Sequence, residues 1–417
     1  MTNLWRPFAV PGAANPMRIR KGDGSVVADT DGREYLDAAG GLWNVSLGLA
    51  NGELIERMHE QLRTLSFSSL FHTTNAPAEL LCERLLALTG GAMRMAYLST
   101  TGSSAVEVAL RVARLHHAAS GRPDKRRILS FDIGYHGCSG LGVCASGILA
   151  GEYTRYEQLL PDFQAIPSPV DEAASLAALA KVLHDEAGQV ACLIMEPIVG
   201  SGGIIVPSPG YCRDVSRLCR EHGVLLVADE VATGGGRCGA MLASPLLGLE
   251  PDIVTLSKGI NSGYFPLGAT LFSGAVVEPI RARGIPFQYG STQDGNPVGC
   301  VAALATLDQI ERHGLDARAR ELGARIQDAL RDNLATPVVR EVRGLGLMIG
   351  IELAHLGAGG KPFSPAESGQ VRHLCQDAGL LVYHFDSGIS LFPALTMSDA
   401  EADSMVDIIG EVLATLV

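Results

Sequence analysis

The chain has 417 residues, 47% hydrophobic and 19% charged, so it can bury a large core and is not a disordered segment. At ~100–200 residues per domain, two domains or three are expected. With 33 Lys and Arg against 45 Asp and Glu, the formal net charge is −12, which argues against a nucleic-acid or anionic-membrane partner, since both require a basic face.

In chain order, residues 18–37 (RIRKGDGSVVADTDGREYLD) pair short apolar runs with DG turns, the pattern of an antiparallel meander. Apolar, β-branched runs then alternate with helical periods. Strands are predicted at Met95–Leu98, Arg127–Phe131, Ala191–Met195, Val224–Ala228, Ile253–Leu256 and Ala269–Phe272. Several lack polar alternation, as in strands covered on both faces. Helices are predicted over Ala105–Leu115, where Ala105, Val108, Ala109 and Val112 share a stripe, and over Tyr211–His222, which ends at Gly223. The alanine-rich Ala173–Ala180 reads as helix. After Asn296 two helical stretches break at His313–Gly314. VRGLGLMIGIEL, a helix near Glu367–Ala378, a strand around Leu380–Tyr383 and a final helix at Asp399–Leu416 follow. This rhythm predicts an α/β large domain at about 54–310, with residues 1–53 and 311–417 combining into a smaller α+β domain.

The cysteines, nine in number, include no CxxC pair, so neither a disulfide framework nor a zinc site is expected. The opening MTNLWRPFAVPG lacks a basic region followed by an apolar run, and no stretch of ~18 apolar residues occurs, so a cytoplasmic location is expected.

Open α/β sheets bind ligands beyond the carboxyl ends of their strands. Val224–Ala228 runs into Asp229 and Glu230, and Ile253–Leu256 runs into Ser257, Lys258 and Gly259. A carboxylate and a lysine on one sheet edge suit pyridoxal 5'-phosphate (PLP), which needs a Schiff-base lysine and an acid for its pyridine nitrogen. On these two residues alone, a structural ion pair stays open. Ser99–Ser104 (STTGSS) lies between a strand and a helix N-terminus, where free N–H groups and the dipole favour a phosphate; an ordinary N-cap is the alternative. Gly234–Gly239 satisfies GxGxxG, yet no amphipathic helix begins there, so a dinucleotide site is not expected.

Together GDGSVVADTDGREYLD, GGLWNVSLG, TGSSAVEVALRVAR, GYHG, IMEPIVGSGG, LLVADEVATGGGRCG, PDIVTLSKG and STQDGNPVGCVAALA resemble class III (ω-type) PLP-dependent aminotransferases, from about Gly22 to the C-terminus. The resemblance implies fold-type I: a mostly parallel seven-stranded sheet between helices, plus a smaller domain from both termini. It implies Lys258 as Schiff-base lysine and proton shuttle, and Asp229 as partner of the pyridine nitrogen. Val231 and Tyr135 would flank the ring, Gly102 and Ser103 would hold the phosphate, and Glu196 would lie near the phenolic oxygen. Thr292 would reach the phosphate of a partner subunit, implying a homodimer with shared sites. Trp43, with Tyr135, would wall the substrate pocket. His136 and Arg237 read as structural.

Departures from the family pattern bear on substrate. Positions where relatives carry a carboxylate-binding arginine are here Cys138, Tyr383 and Ser390, so the bidentate clamp is missing. The implied activity moves an amino group between an amine and a 2-oxo acid through pyridoxamine phosphate. The amine would be a terminal amine, amino sugar, polyamine or ω-amino acid. An epimerase, racemase or aminomutase of the same fold, a decarboxylase, and a non-catalytic PLP-binding protein are the alternatives.

Overall fold

The computed structural model describes residues 3–13, 16–333, 337–355 and 360–416. Near its start β1 (Ile19–Asp23), β2 (Val26–Asp29) and β3 (Glu34–Asp37) form an antiparallel meander. Asp29 closes its second turn by accepting from the N–H groups of Asp31 and Arg33, each at 2.9 Å.

Seven strands build the central sheet: β4 (Met93–Ser99), β5 (Arg127–Phe131), β6 (Phe163–Ile166), β7 (Val190–Met195), β8 (Leu225–Asp229), β9 (Ile253–Leu256) and β10 (Gly268–Ser273). Their spatial order is β4-β10-β9-β8-β7-β5-β6, and only β10 runs antiparallel to its neighbours. Alternate residues of β7 go to opposite faces, as the two-residue period of a strand requires. Leu193 and Met195 join one apolar cluster, while Cys192 and Ile194 join another with Val108, Ala109 and Val112 of the helix Gly102–Ala119. The sheet is thus buried on both sides, which explains the missing polar alternation. The edge strand β6 (FQAI) escapes sequence reading because it is short and only its last residue is buried.

Towards the C-terminus, helix Pro297–His313 ends at Gly314, whose φ of 57° only glycine adopts at little cost, and helix Leu315–Asn333 starts at once. β11 (Val339–Leu345) and β12 (Met348–Leu353) follow. The expected single strand at Leu380–Tyr383 is instead two, β13 (Leu380–Leu381) and β14 (Tyr383–Phe385), because the chain there passes from one sheet to another. β13 pairs parallel with β3, while β14 turns back into β15 (Gly388–Leu391), completing the order β11-β12-β15-β14. N- and C-terminal segments therefore share a sheet. They also share a core, in which Leu47 and Leu54 cluster with Ile349, Leu391 and Met405. Among the described residues no helix is long and apolar enough to cross a membrane.

Candidate active site

The carboxyl ends of β7, β8 and β9 and the start of helix Gly102–Ala119 converge on a cavity of about 150 Å³. β7 delivers Glu196, β8 ends on Asp229, and β9 leads through Ser257 into Lys258.

Asp229 is only 4% exposed, and its charge is compensated by three donors. His136 Nδ1 lies 2.7 Å from Oδ2, while Oδ1 accepts from Thr255 Oγ1 at 2.9 Å and from the Val231 N–H at 3.2 Å. Thr255 stands on β9 beside Asp229 in the parallel register, which places its hydroxyl there. His136 is buried with the carboxylate, and its Nε2 has no protein partner.

Lys258 occupies a left-handed backbone position, φ 43°, at the head of a short 3-10 turn. Its Nζ sits 4.7 Å from the centroid of the Trp43 ring. Burial pulls the amine below its ordinary range, partly opposed by the Glu196 and Asp229 carboxylates. Glu196 is buried too, which pushes its carboxyl upward. Its two oxygens accept from the Tyr135 N–H at 3.1 Å and the Gly200 N–H at 2.9 Å.

Tyr135, Val231, Gly102 and Ser103 all line the same cavity. In the helix's capping box the Thr101 hydroxyl accepts from the Ser104 N–H at 3.0 Å, leaving the first helical N–H groups, of Gly102 and Ser103, for an outside acceptor. A Cβ on Gly102 would come within 2.9 Å of Val231 Cγ1, so a side chain there would force Val231 to shift. Trp43 closes the cavity, itself in a left-handed conformation with φ 65°. Its ring stacks on Phe392 at 4.2 Å and meets the Tyr383 edge at 5.2 Å.

Thr292 lies elsewhere. It is exposed, in a turn beside a separate apolar cavity of about 470 Å³ between Leu70, Phe71, Tyr97 and Tyr289. Of the departure positions, Cys138 is exposed, while Ser390 is buried opposite Tyr383 in the β14–β15 ladder, with no hydrogen-bond partner for its Oγ. Arg237, 2% exposed, turns away from the cavity and spends its Nη1 on the carbonyls of Pro393 and Leu347. At Gly234–Gly239 no helix opens.

The donor set fits PLP. A slot between Tyr135 and Val231 has a helix N-terminus at one end for an anion, a multiply bonded carboxylate for a cationic ring nitrogen, and a depressed lysine amine for an aldehyde. His136 and Thr255, which hydrogen-bond Asp229, are the neighbours that sequence reading did not connect to it. The GYHG motif held the one signal, a histidine directly after the flanking tyrosine; Thr255 carried none.

The chain as a whole is similar to known proteins. The family model described as aminotransferase class-III matches residues 8–413. An adenosylmethionine-8-amino-7-oxononanoate aminotransferase of Geobacter sulfurreducens is 34% identical, over 97% of this chain and 94% of its own length. The solved structure of an amine transaminase from an uncultivated Pseudomonas species, in its PLP-bound form, superposes with a TM-score of 0.94 at 35% identity, covering 100% of this chain and 99% of the other. An (S)-enantioselective omega-transaminase from Thermomicrobium roseum gives 0.92 at 31% identity, covering 96% and 93%.

Proposed function

The chain belongs to the class-III aminotransferase family and is a PLP-dependent enzyme of amino transfer; from that premise we propose the roles of its residues and the class of its substrate. When bound, PLP supplies an aldehyde that condenses with amines and an electron-withdrawing ring that lowers the acidity barrier at the neighbouring carbon. The protein's part is placement and proton handling. Lys258 Nζ anchors the cofactor and, as a free amine, moves the proton at the carbon bearing the substrate nitrogen; its lowered pKa keeps it neutral enough to act as a base. Asp229 holds positive charge at the ring nitrogen, kept in orientation by His136 and Thr255. Tyr135 and Val231 clamp the ring faces, Gly102 and Ser103 bind the phosphate through their N–H groups, and Glu196 holds the Tyr135 backbone against the slot. The observation that carries this assignment is the convergence of Lys258 and the triply bonded Asp229 on one cavity.

Trp43 and Tyr135 wall the substrate side, and Cys138, Tyr383 and Ser390 offer no guanidinium to a carboxylate. The preferred donor is therefore an amine remote from any carboxylate: a terminal amine, amino sugar, polyamine or ω-amino acid. The working unit is a cytoplasmic homodimer in which Thr292 completes the partner's phosphate site. Two features support this: Thr292 is exposed and absent from its own cavity, and Phe71 and Leu70 beside it are 61% and 36% exposed, an apolar patch of the kind that marks an interface. The test is a spectral screen of the PLP-loaded enzyme without oxo acid. Terminal diamines or ω-amino acids should convert the cofactor to pyridoxamine phosphate faster than α-amino acids do; preference for α-amino acids would overturn the substrate assignment.

A further inference from the structure

The loop after Glu196 is strained. Val199 and Ile205 close it by mutual backbone hydrogen bonds of 3.0 Å, and within it the N–H groups of Gly203 and Ile204 both return to Gly200 O, at 3.0 and 3.1 Å. Gly203 has φ 117° and Ile204 has φ 57°, the latter a costly conformation for a β-branched residue. Surrounding structure must therefore hold the turn, and the C-terminal sheet does so at two points. Gly350 of β12 gives Ile204 room, since a Cβ there would lie 3.0 Å from Ile204 Cβ. Arg343 of β11 donates through Nε and Nη2 to Gly203 O at 2.9 and 2.7 Å, a bidentate grip across 140 residues of sequence. Its guanidinium is held in turn by Glu341 and Glu352 and lies over the Phe385 ring.

The other end of this turn touches the active site. The Gly200 N–H binds Glu196 Oε2, and a Cβ on Gly200 would stand 3.0 Å from Trp43 Cζ3. We infer that Arg343 is a positioning residue for amino transfer, fixing through the Gly200–Ile204 turn the places of Glu196 and Trp43 without touching substrate or cofactor. The inference rests on the reading of Trp43 and Glu196 as active-site residues.

The protein has two tryptophans, Trp5 and Trp43, and Trp5 is 69% exposed; in a Trp5→Phe background, fluorescence therefore reports on Trp43 alone. Acrylamide quenching of the cofactor-free protein is compared among the parent, Arg343→Met, Arg343→Lys and Arg340→Met. The last removes a neighbouring ion pair with the same Glu352 but leaves the turn alone. Arg343→Met should raise the quenching constant and, in the PLP-loaded enzyme, raise KM for the amine about tenfold, the scale of one lost charge-assisted hydrogen bond. Arg343→Lys should recover part of both effects, and Arg340→Met should show neither. If Arg343→Met lowers the melting temperature while quenching and KM stay at parental values, Arg343 is only a stabiliser and the inference is wrong. Quenching in the cofactor-free protein does not depend on the catalytic assignments. A parent whose Trp43 emission ignores added PLP would indict the site assignment, and not the hold of Arg343 on the turn.

Discussion

Replacing His136 by leucine removes the 2.7 Å contact to Asp229 Oδ2 but leaves Thr255 and the Val231 N–H on Oδ1. A hydrogen bond to a charged group contributes about 1.5–3 kcal/mol, and Asp229, at 4% exposure, has no solvent to replace it. If that interaction aligns the carboxylate for the reaction, the rate should fall roughly 10- to 150-fold. The loss should appear in kcat, because in the proposed roles Asp229 meets the cofactor and not the amine, with KM for the amine little changed. Thr255→Val, which removes a hydroxyl from the other oxygen while keeping the side chain's shape, should cost less, on the order of tenfold. The assay is a single-turnover measurement of PLP consumption on mixing with amine, with circular dichroism and thermal melting to show that the variants are folded. A folded His136→Leu enzyme whose rate stays within about twofold of the parent would refute the reasoning and return His136 to a packing role.

Other perturbations test separate parts of the account. Gly102→Ala places a Cβ 2.9 Å from Val231 Cγ1 and should weaken PLP binding about tenfold, measured by fluorescence titration of the cofactor-free protein. Burial lowers the His117 pKa from 6.5 to about 4 while its Nε2–H donates to Ala191 O, so the unfolded chain takes up a proton first as pH falls. The resulting stability is present above pH 6.5 and is lost as pH drops towards 4; between pH 7.5 and 5 it amounts to about 2 kcal/mol, which urea unfolding of the parent should show and His117→Gln should lack. Cys138→Arg restores a guanidinium beside Tyr135 and should lower KM for a dicarboxylic 2-oxo acid about tenfold in steady-state assays, with no gain for a neutral aldehyde acceptor.

Much of the site was legible because chemistry and topology coincide in the sequence. Asp229 directly follows the apolar run Leu225–Ala228, and Lys258 lies one residue past the β-branched-rich strand Ile253–Leu256; such runs become buried parallel strands whose carboxyl ends share one edge. The candidate phosphate cradle was legible from its hydroxyl and glycine residues ahead of a helix, although that helix was read from Ala105 and begins three residues earlier, at Gly102. What escaped was set by distant parts of the chain. His136 differs from a packing histidine only through Asp229, which lies 93 residues away. The turn held by Arg343 involves backbone atoms, and side-chain types do not reveal which carbonyl a guanidinium will find. β13 and β14 read as one strand because Leu380–Tyr383 is continuously apolar; only the competition of β3 and β15 for pairing splits it. Trp43 was named from its motif as a candidate wall and does line the cavity, but its left-handed backbone and its place beside the Lys258 amine were not legible.

The most direct test of the central claim is reduction of the PLP-loaded protein with borohydride, followed by digestion and mass spectrometry of the peptide containing Lys258. The account predicts a single phosphopyridoxyl modification on Lys258, abolished in Lys258→Met and formed poorly in Gly102→Ala. Label on another lysine, or none on a folded protein given excess PLP, would contradict it.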